Sequence, residues 1–406
     1  MIRDVADFSV RVLDSSELRA SSDVFFIALH SEPLKDARWK YLERFYELGR
    51  AFGAFAGDRM VGTAMSFRSA LAVPGGVALP MAAVSAVGVR ADFTRRGVLT
   101  ELMRTQLKDC VARGDALAGL HASEGAIYGR FGYGVGVISR TIRVESRRAQ
   151  LRPEVPRSGE VRLLDRDEVL DLLPAIYDRI AGEHPGMMAR PPGWWSMAYE
   201  RRLYNDDQFQ VAVHTGAEGP DGFVGYLPSK DNPQSIAEDV TLRVHDLQGT
   251  PSAIIDLWRF LLGVDLVREV AAFGRPMDEP IEAALVNQHV VRSELDDDLW
   301  LRIVDVPRAL AARSYGDAEP IVIEVRDRLL PNNSDRYLIG PSGVDRTKRA
   351  AVLAMDVDAL AMLYLGTTRA SALADVGRIE AYDPKALPLA DRLFATDATA
   401  WCGTMF

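Results

Sequence analysis

Leu120-His121-Ala122-Ser123-Glu124-Gly125-Ala126-Ile127-Tyr128-Gly129-Arg130-Phe131-Gly132-Tyr133 sets a tyrosine on a glycine-rich turn just after a short apolar run, Ala116 to His121. Upstream, Ala82 to Val89 reads as a strand that ends in Val87-Gly88-Val89. It is followed by Arg95-Arg96-Gly97-Val98-Leu99-Thr100 and then by a helix over Val98 to Val111, whose Leu99, Leu102, Met103, Leu107 and Cys110 recur at helical spacing. Gly114 stops that helix and Ser123 is placed to cap the next one. Strand, loop, helix, strand with glycines at the joints predicts a mixed α/β layer. The chain ends far downstream in Trp401-Cys402-Gly403-Thr404-Met405-Phe406.

Each of these segments carries a chemical device and a plainer alternative. Backbone N–H groups at a glycine-containing helix start converge on an anion, and Arg95 and Arg96 add charge, so Arg95 to Thr100 suits a pyrophosphate. The alternative is a surface arginine pair. Strand backbone at Val87, Gly88 and Val89 can aim N–H groups at a developing oxyanion, with Gly88 permitting close backbone approach; the alternative is a core strand with an incidental glycine. Tyr128 can act as a general acid or merely pack. The Phe406 carboxylate, with a reference pKa of about 3.5, is ionised at neutral pH and becomes a stronger base when buried. His121 and Glu124 are the other candidates for a base, His121 reading more naturally as a satisfied strand-end histidine. The tail could instead fray, as chain ends do, although fraying makes no use of its two large apolar residues. Anion cradle, oxyanion donors, acid and base are what acyl transfer from a thioester to an amine requires.

Composition narrows the alternatives. The 406 residues suffice for two or three domains, and 48% hydrophobic with 26% charged residues describes a globular chain. A net charge of −9 argues against nucleic acid and suits a cationic partner. No apolar run approaches a membrane span, and Met1 to Asp7 carries acids where a signal peptide has an apolar core, so a cytoplasmic location is expected. Two cysteines, Cys110 and Cys402, suggest no disulfide framework. The six histidines stand apart, without CxxC or HExxH, so no metal is expected.

The chain divides into three. Residues 1–150 hold the segments above. Around Arg148 to Gly159, prolines and arginines mark a linker. Residues 151–290 repeat the order strand, loop, helix, strand, but the loop Gln248-Gly249-Thr250-Pro251 has no arginine pair, as in a degenerate duplication. Residues 291–406 form a further α/β unit.

At these motifs, above all His121 to Tyr133, the chain resembles the GNAT acetyltransferase superfamily and, within it, the enhanced intracellular survival (Eis) family; the resemblance extends over the whole chain. It implies an N-terminal catalytic GNAT domain, a degenerate second GNAT-like domain and a third domain similar to sterol carrier proteins. It implies acetyl-CoA as co-substrate, held by Val87, Gly88, Val89, Arg95, Arg96, Gly97, Val98, Leu99, Thr100, Ser123 and Glu124, with Tyr128 as general acid and the C-terminal carboxylate of Phe406 as general base. It also implies a homohexamer that acetylates amines of aminoglycosides, a class of small polycationic substrate. Thr94 stands where the superfamily usually has Arg or Gln, and Met405 stands where an acid is expected beside the tail. A protein lysine acetyltransferase and a lipid or sterol carrier are the competing readings.

Overall fold

The computed structural model describes residues 8–32, 34–205, 208–230 and 240–406; the acid-bearing start, Met1 to Asp7, lies outside them. The first sheet begins with β1 (Ser9–Val12), β2 (Ala51–Ala56), β3 (Arg59–Ala72) and β4 (Ala78–Val89), all antiparallel neighbours. The two-residue turn between β2 and β3 needs positive φ, and Gly57 supplies it at +59°. β5 (Leu117–Leu120) then pairs parallel to β4. A parallel neighbour needs a crossover helix, here α3 (Val98–Arg113), which follows α1 (Leu18–Ala28) and α2 (Asp36–Leu42) in the chain. α3 buries Val98, Leu102, Met103, Gln106, Leu107 and Cys110 on one face and ends at Gly114, φ +74°. It lies close on β3 because Gly62 has no side chain: a Cβ there would stand 2.8 Å from Val98 Cγ1.

Beyond β5 the sheet takes in Trp300–Ile303, from far along the chain, and then β6 (Gly134–Val135). The stretch Val135 to Val144 is therefore shared between two strands in two sheets. Its second part, β7 (Ile138–Glu145), sits in the second sheet between Val291–Asp297 and β12 (Val267–Arg275), next to which run β11 (Val240–Gly249), β10 (Gly219–Lys230), β9 (Gln210–Gly216) and β8 (Glu160–Leu163). The exchange happens at one point. The N–H groups of Gly136 and Val137 both donate to Leu299 O, at 2.9 and 3.1 Å, and Asp298 N–H returns a bond to Val137 O at 3.0 Å. Gly136 lets the strands pack closely there, since a Cβ would approach Leu301 Cβ to 3.0 Å. Ile138–Glu145 and Val291–Asp297 thus join the sheet of residues 151–290, and Trp300–Ile303 joins that of residues 1–150.

The second sheet repeats the plan of the first, with β11 and β12 as its parallel pair and the helix Pro251–Leu262 as crossover. The third sheet runs Gly343–Arg346, Asp335–Gly340, Ile321–Arg326, Leu353–Asp356, Ile379–Ala381, covered by helices that include Val357–Tyr364 and Leu387–Phe394. The architecture is a mixed α/β one of two related units and a third of different topology. No described helix is long and apolar enough to cross a membrane. Cys110 and Cys402 are both free and buried.

Candidate active site

The donor cradle forms where β4 leaves β5. The two strands pair only from Met81/Leu117 to Ala83/Gly119, so β4 continues for six residues, to Val89, with that side open. On its other side it stays paired to β3, with a bulge that puts Ala86 at φ +49°. Arg90 N–H donates to Val61 O, and strand alternation turns the N–H of Val89 the opposite way, toward the opening. Gly88 does permit a close approach, but from within the protein: a Cβ there would lie 3.2 Å from Phe25 Cα and 3.0 Å from Ala28 Cβ of α1.

At the mouth of this opening Arg95 takes φ +62° and Gly97 φ +92°, left-handed turns of the backbone that direct N–H groups to one side. A Cβ on Gly97 would meet no atom within 4 Å, so its glycine answers to conformation and leaves space in front of the helix start. Arg95 and Arg96 are exposed, and the Arg96 guanidinium lies 4.9 Å from the Phe93 ring. Val98 is buried against Phe52, Val61 and Leu102 and holds the loop to the sheet, while Leu99 and Thr100 are partly buried. These features fit a pyrophosphate-bearing donor such as acetyl-CoA, which would supply a thioester at the open end of β4.

Tyr128 closes a four-residue helix, Gly125–Tyr128. That helix starts from Glu124 with no side-chain cap, so the cap expected of Ser123 is not made; Ser123 and Glu124 are both exposed. Tyr128 is 5% exposed and shares an apolar cluster with Val87, Leu99 and Tyr133, which ties it to both parts of the cradle. Burial raises its phenol above the ordinary value, so it is protonated at neutral pH. The turn that follows is fixed by a buried arginine outside the motif. Arg302 donates to Phe131 O at 2.9 Å and to both Asp327 oxygens at 2.8 and 2.7 Å, and a Cβ on Gly132 would fall 2.7 Å from its Nε.

The tail does not fray. Trp401 N–H donates to Pro185 O at 2.8 Å and its indole to Gly274 O at 2.6 Å. Gly403 O accepts from Arg190 at 2.7 Å and Gln248 at 2.9 Å; the Thr404 hydroxyl receives Arg190 Nε at 3.0 Å; Met405 O receives the Trp194 indole at 2.8 Å. Arg190 is itself buried, paired to Asp246 at 2.7 and 3.2 Å and stacked between Tyr177 and Trp194. The Met405 side chain is 69% exposed. The Phe406 ring ends in the first unit, 5.6 Å from Phe67 and 4.7 Å from His121.

His121 is the hinge of this arrangement. One ring nitrogen faces the Asp298 carbonyl at 3.0 Å and carboxylate at 3.2 Å, and the other faces Thr404 O at 2.9 Å. A carbonyl only accepts, so both nitrogens donate and the ring is an imidazolium. Burial opposes that charge, but the bonds to Asp298 and the Cys402 side chain outweigh it and raise the pKa to about 10. A ring that carries both protons at neutral pH serves as an anchor. Arg190, Trp194, Asp298 and Arg302 carry no local motif, and sequence reading did not single them out as site residues. Among the described residues no group of three or more His, Cys, Asp or Glu is arranged to hold a metal.

Residues 9–136 match a profile of acetyltransferase (GNAT) domains, residues 186–303 a second such profile, and residues 306–403 one of sterol carrier protein domains. An uncharacterized N-acetyltransferase of Streptomyces coelicolor is 37% identical over 377 residues, covering 89% of this chain and 91% of that one. The N-acetyltransferase Eis of Mycobacterium bovis is 34% identical over 358 residues, 85% of each chain. The crystal structure of Eis1 from Mycobacterium abscessus superposes with a TM-score of 0.89 at 37% identity, covering 98% of this chain and all of that one.

Proposed function

Because this chain belongs to the Eis family of GNAT N-acetyltransferases, we propose that it moves acetyl from acetyl-CoA to amines of a small polycation of the aminoglycoside type, at more than one position. The observation that carries the assignment of roles is the path of the tail: the chain's last residue is held against His121 and Phe67 of the unit that contains the cradle and Tyr128.

Each step falls to this chain's own groups. The Phe406 carboxylate takes a proton from the acceptor ammonium and frees the lone pair that attacks the acetyl carbonyl. The N–H groups on the open side of β4 meet the oxygen on which charge gathers. Tyr128, kept protonated by burial, gives its proton to the thiolate as the C–S bond breaks and regains one from the second proton that the attacking nitrogen sheds as the amide forms. Of the two protons leaving nitrogen, one thus ends on the thiol and one leaves through the carboxylate. The loop from Arg95 to Thr100 and the exposed Ser123 and Glu124 hold the donor. The net charge of −9 favours a cationic acceptor. A homohexamer, a cytoplasmic location and the lack of a nucleic-acid partner belong to the same proposal.

Thiol release from acetyl-CoA, measured with untagged enzyme against a panel of aminoglycosides and linear polyamines, tests it. Release above one equivalent per aminoglycoside is expected. Release with polyamines or a lysine peptide alone would move the acceptor class, and none with any amine would refute the assignment.

A further inference from the structure

The second unit repeats the donor cleft in a form that cannot hold a pyrophosphate. β11 and β12 part after Val244/Ala272, as β4 and β5 part in the first unit. Here the opening is filled from within: Arg275 donates to Leu247 O, and the Trp401 indole donates to Gly274 O. At the start of the helix Pro251–Leu262 the Thr250 hydroxyl accepts Ala253 N–H, Pro251 has no N–H, and a Cβ on Gly249 would lie 2.8 Å from Gly222 Cα. The helix start is thus capped and closely packed where its counterpart in the first unit is open.

What remains is a cavity of about 260 Å³ beside Trp401. Its floor includes Ile254 and Met187, both buried and apolar. Its one arginine, Arg275, is paired to Glu279 at 2.8 Å and lies 5.0 Å from the centre of the Trp401 ring, against which His184 of the same wall packs edge-on at 5.6 Å. Its rim carries Glu183 and Asp278, both exposed and neither in an ion pair among the described residues. The lining is therefore apolar within, aromatic on the Trp401 side and negative at the rim. We propose that this vestigial cleft binds a small organic ammonium ion with a compact apolar body, seated on Ile254 and Met187 against Trp401, its charge facing Glu183 and Asp278. The volume lies below the roughly 300–1,000 Å³ of drug-sized sites, so the ligand is small. A quaternary head group turned to the acidic rim, on an aromatic body that lies on the apolar floor beneath the Arg275 and Trp401 pair, suits this distribution.

Benzyltrimethylammonium is the probe, since it has no N–H to acetylate, and calorimetry on the full chain is the readout. Binding at one site per chain is expected, with phenylpropionate, an anion of similar body, not bound. The exposed double variant Glu183→Gln, Asp278→Asn should weaken binding about tenfold, on the scale of two exposed charge contacts. Ile254→Trp, which fills the cavity, should abolish it. Deleting Phe406 should leave it unchanged, which separates this cleft from the acceptor site. Absence of binding at millimolar probe, affinity unaltered in the double variant, or loss on deleting Phe406 would each overturn the proposal.

Discussion

Deleting Phe406 moves the terminal carboxylate back by one residue, to Met405. An extended residue spans about 3.3–3.6 Å, whereas a general base works within about 2.6–3.2 Å of its proton. A displacement larger than that whole working distance removes the base. Loss of general base catalysis costs about 10²–10⁴ in rate, and kcat should fall by that factor. The fold should survive, because the anchors of the tail stand upstream: Arg190 and Gln248 on Gly403 O, Arg190 and His121 on Thr404, the indole of Trp194 on Met405 O. What is lost is a partly buried ring, worth about 1–2 kcal/mol at the usual return on apolar area. To separate ring from charge, a single glycine appended after Phe406 keeps the ring and displaces the carboxylate forward; it should lose as much kcat as the deletion. Thiol release gives kcat, and calorimetry with acetyl-CoA should give the same donor affinity in all three proteins. A kcat within threefold of the parent in both variants would refute the role of the carboxylate. Loss in the deletion alone would assign the effect to the ring.

Tyr128→Phe keeps the packing in the cluster with Val87 and Tyr133 but removes the phenol proton, so kcat should fall by about 10²–10⁴ with the melting temperature within a few degrees of the parent; full activity would make Tyr128 a packing residue. Gly97→Ala meets no neighbour yet forces a side chain to φ +92°, a cost of about 1–2 kcal/mol, so KM for the donor should rise about tenfold with kcat little changed; an unaltered KM would detach the loop from donor binding. His121 has a folded pKa of about 10 against an ordinary 6.5, so its contribution to stability is fully present below pH 6.5 and is lost as pH rises through 10. Thermal melting between pH 6 and 10 should show that decline and a flatter profile in His121→Gln; parallel profiles would mean that the ring is not charged.

What could be read from the sequence was what local backbone rules decide. Gly97 and Gly114 bracket α3 because each end needs a left-handed residue, and the apolar spacing of Leu102, Met103, Leu107 and Cys110 gives the buried face. The run through Tyr128 could be placed for the same reason. The exchange of strands could not. Val135 to Val144 has the β-branched content of one strand, and only Leu299, arriving from another part of the chain, divides it at Gly136 and Val137. Gly88 was legible as a point of close approach, but α1 is what approaches. The capping residue before Tyr128 was misplaced because Glu124, in extended conformation, already occupies the N-cap. The tail showed two apolar residues and nothing of its partners, since hydrogen bonds from Arg190, Trp194 and His121 leave no period in either segment.

The degenerate unit then has a physical task. A terminal carboxylate can act as a base only if the last residues are held as firmly as a side chain on a strand, and chain ends lose that order most readily. Arg190 bonds Gly403 and Thr404 while paired to Asp246, which also receives Tyr199 and Gln248. Apart from the tail residues themselves, every member of that network is contributed by the second unit. Removing one partner of such a buried pair costs about 3–5 kcal/mol, so the network resists change even though the unit's own cleft is closed. The crossing at Gly136 and Leu299 adds the other half of the constraint: Asp298, which holds His121, lies in the short link between Val291–Asp297 of the second sheet and Trp300–Ile303 of the first, so it cannot shift without disturbing both sheets. Tail, second unit and first sheet are thereby coupled at Arg190 and at His121, and the position of Phe406 is fixed by the two together.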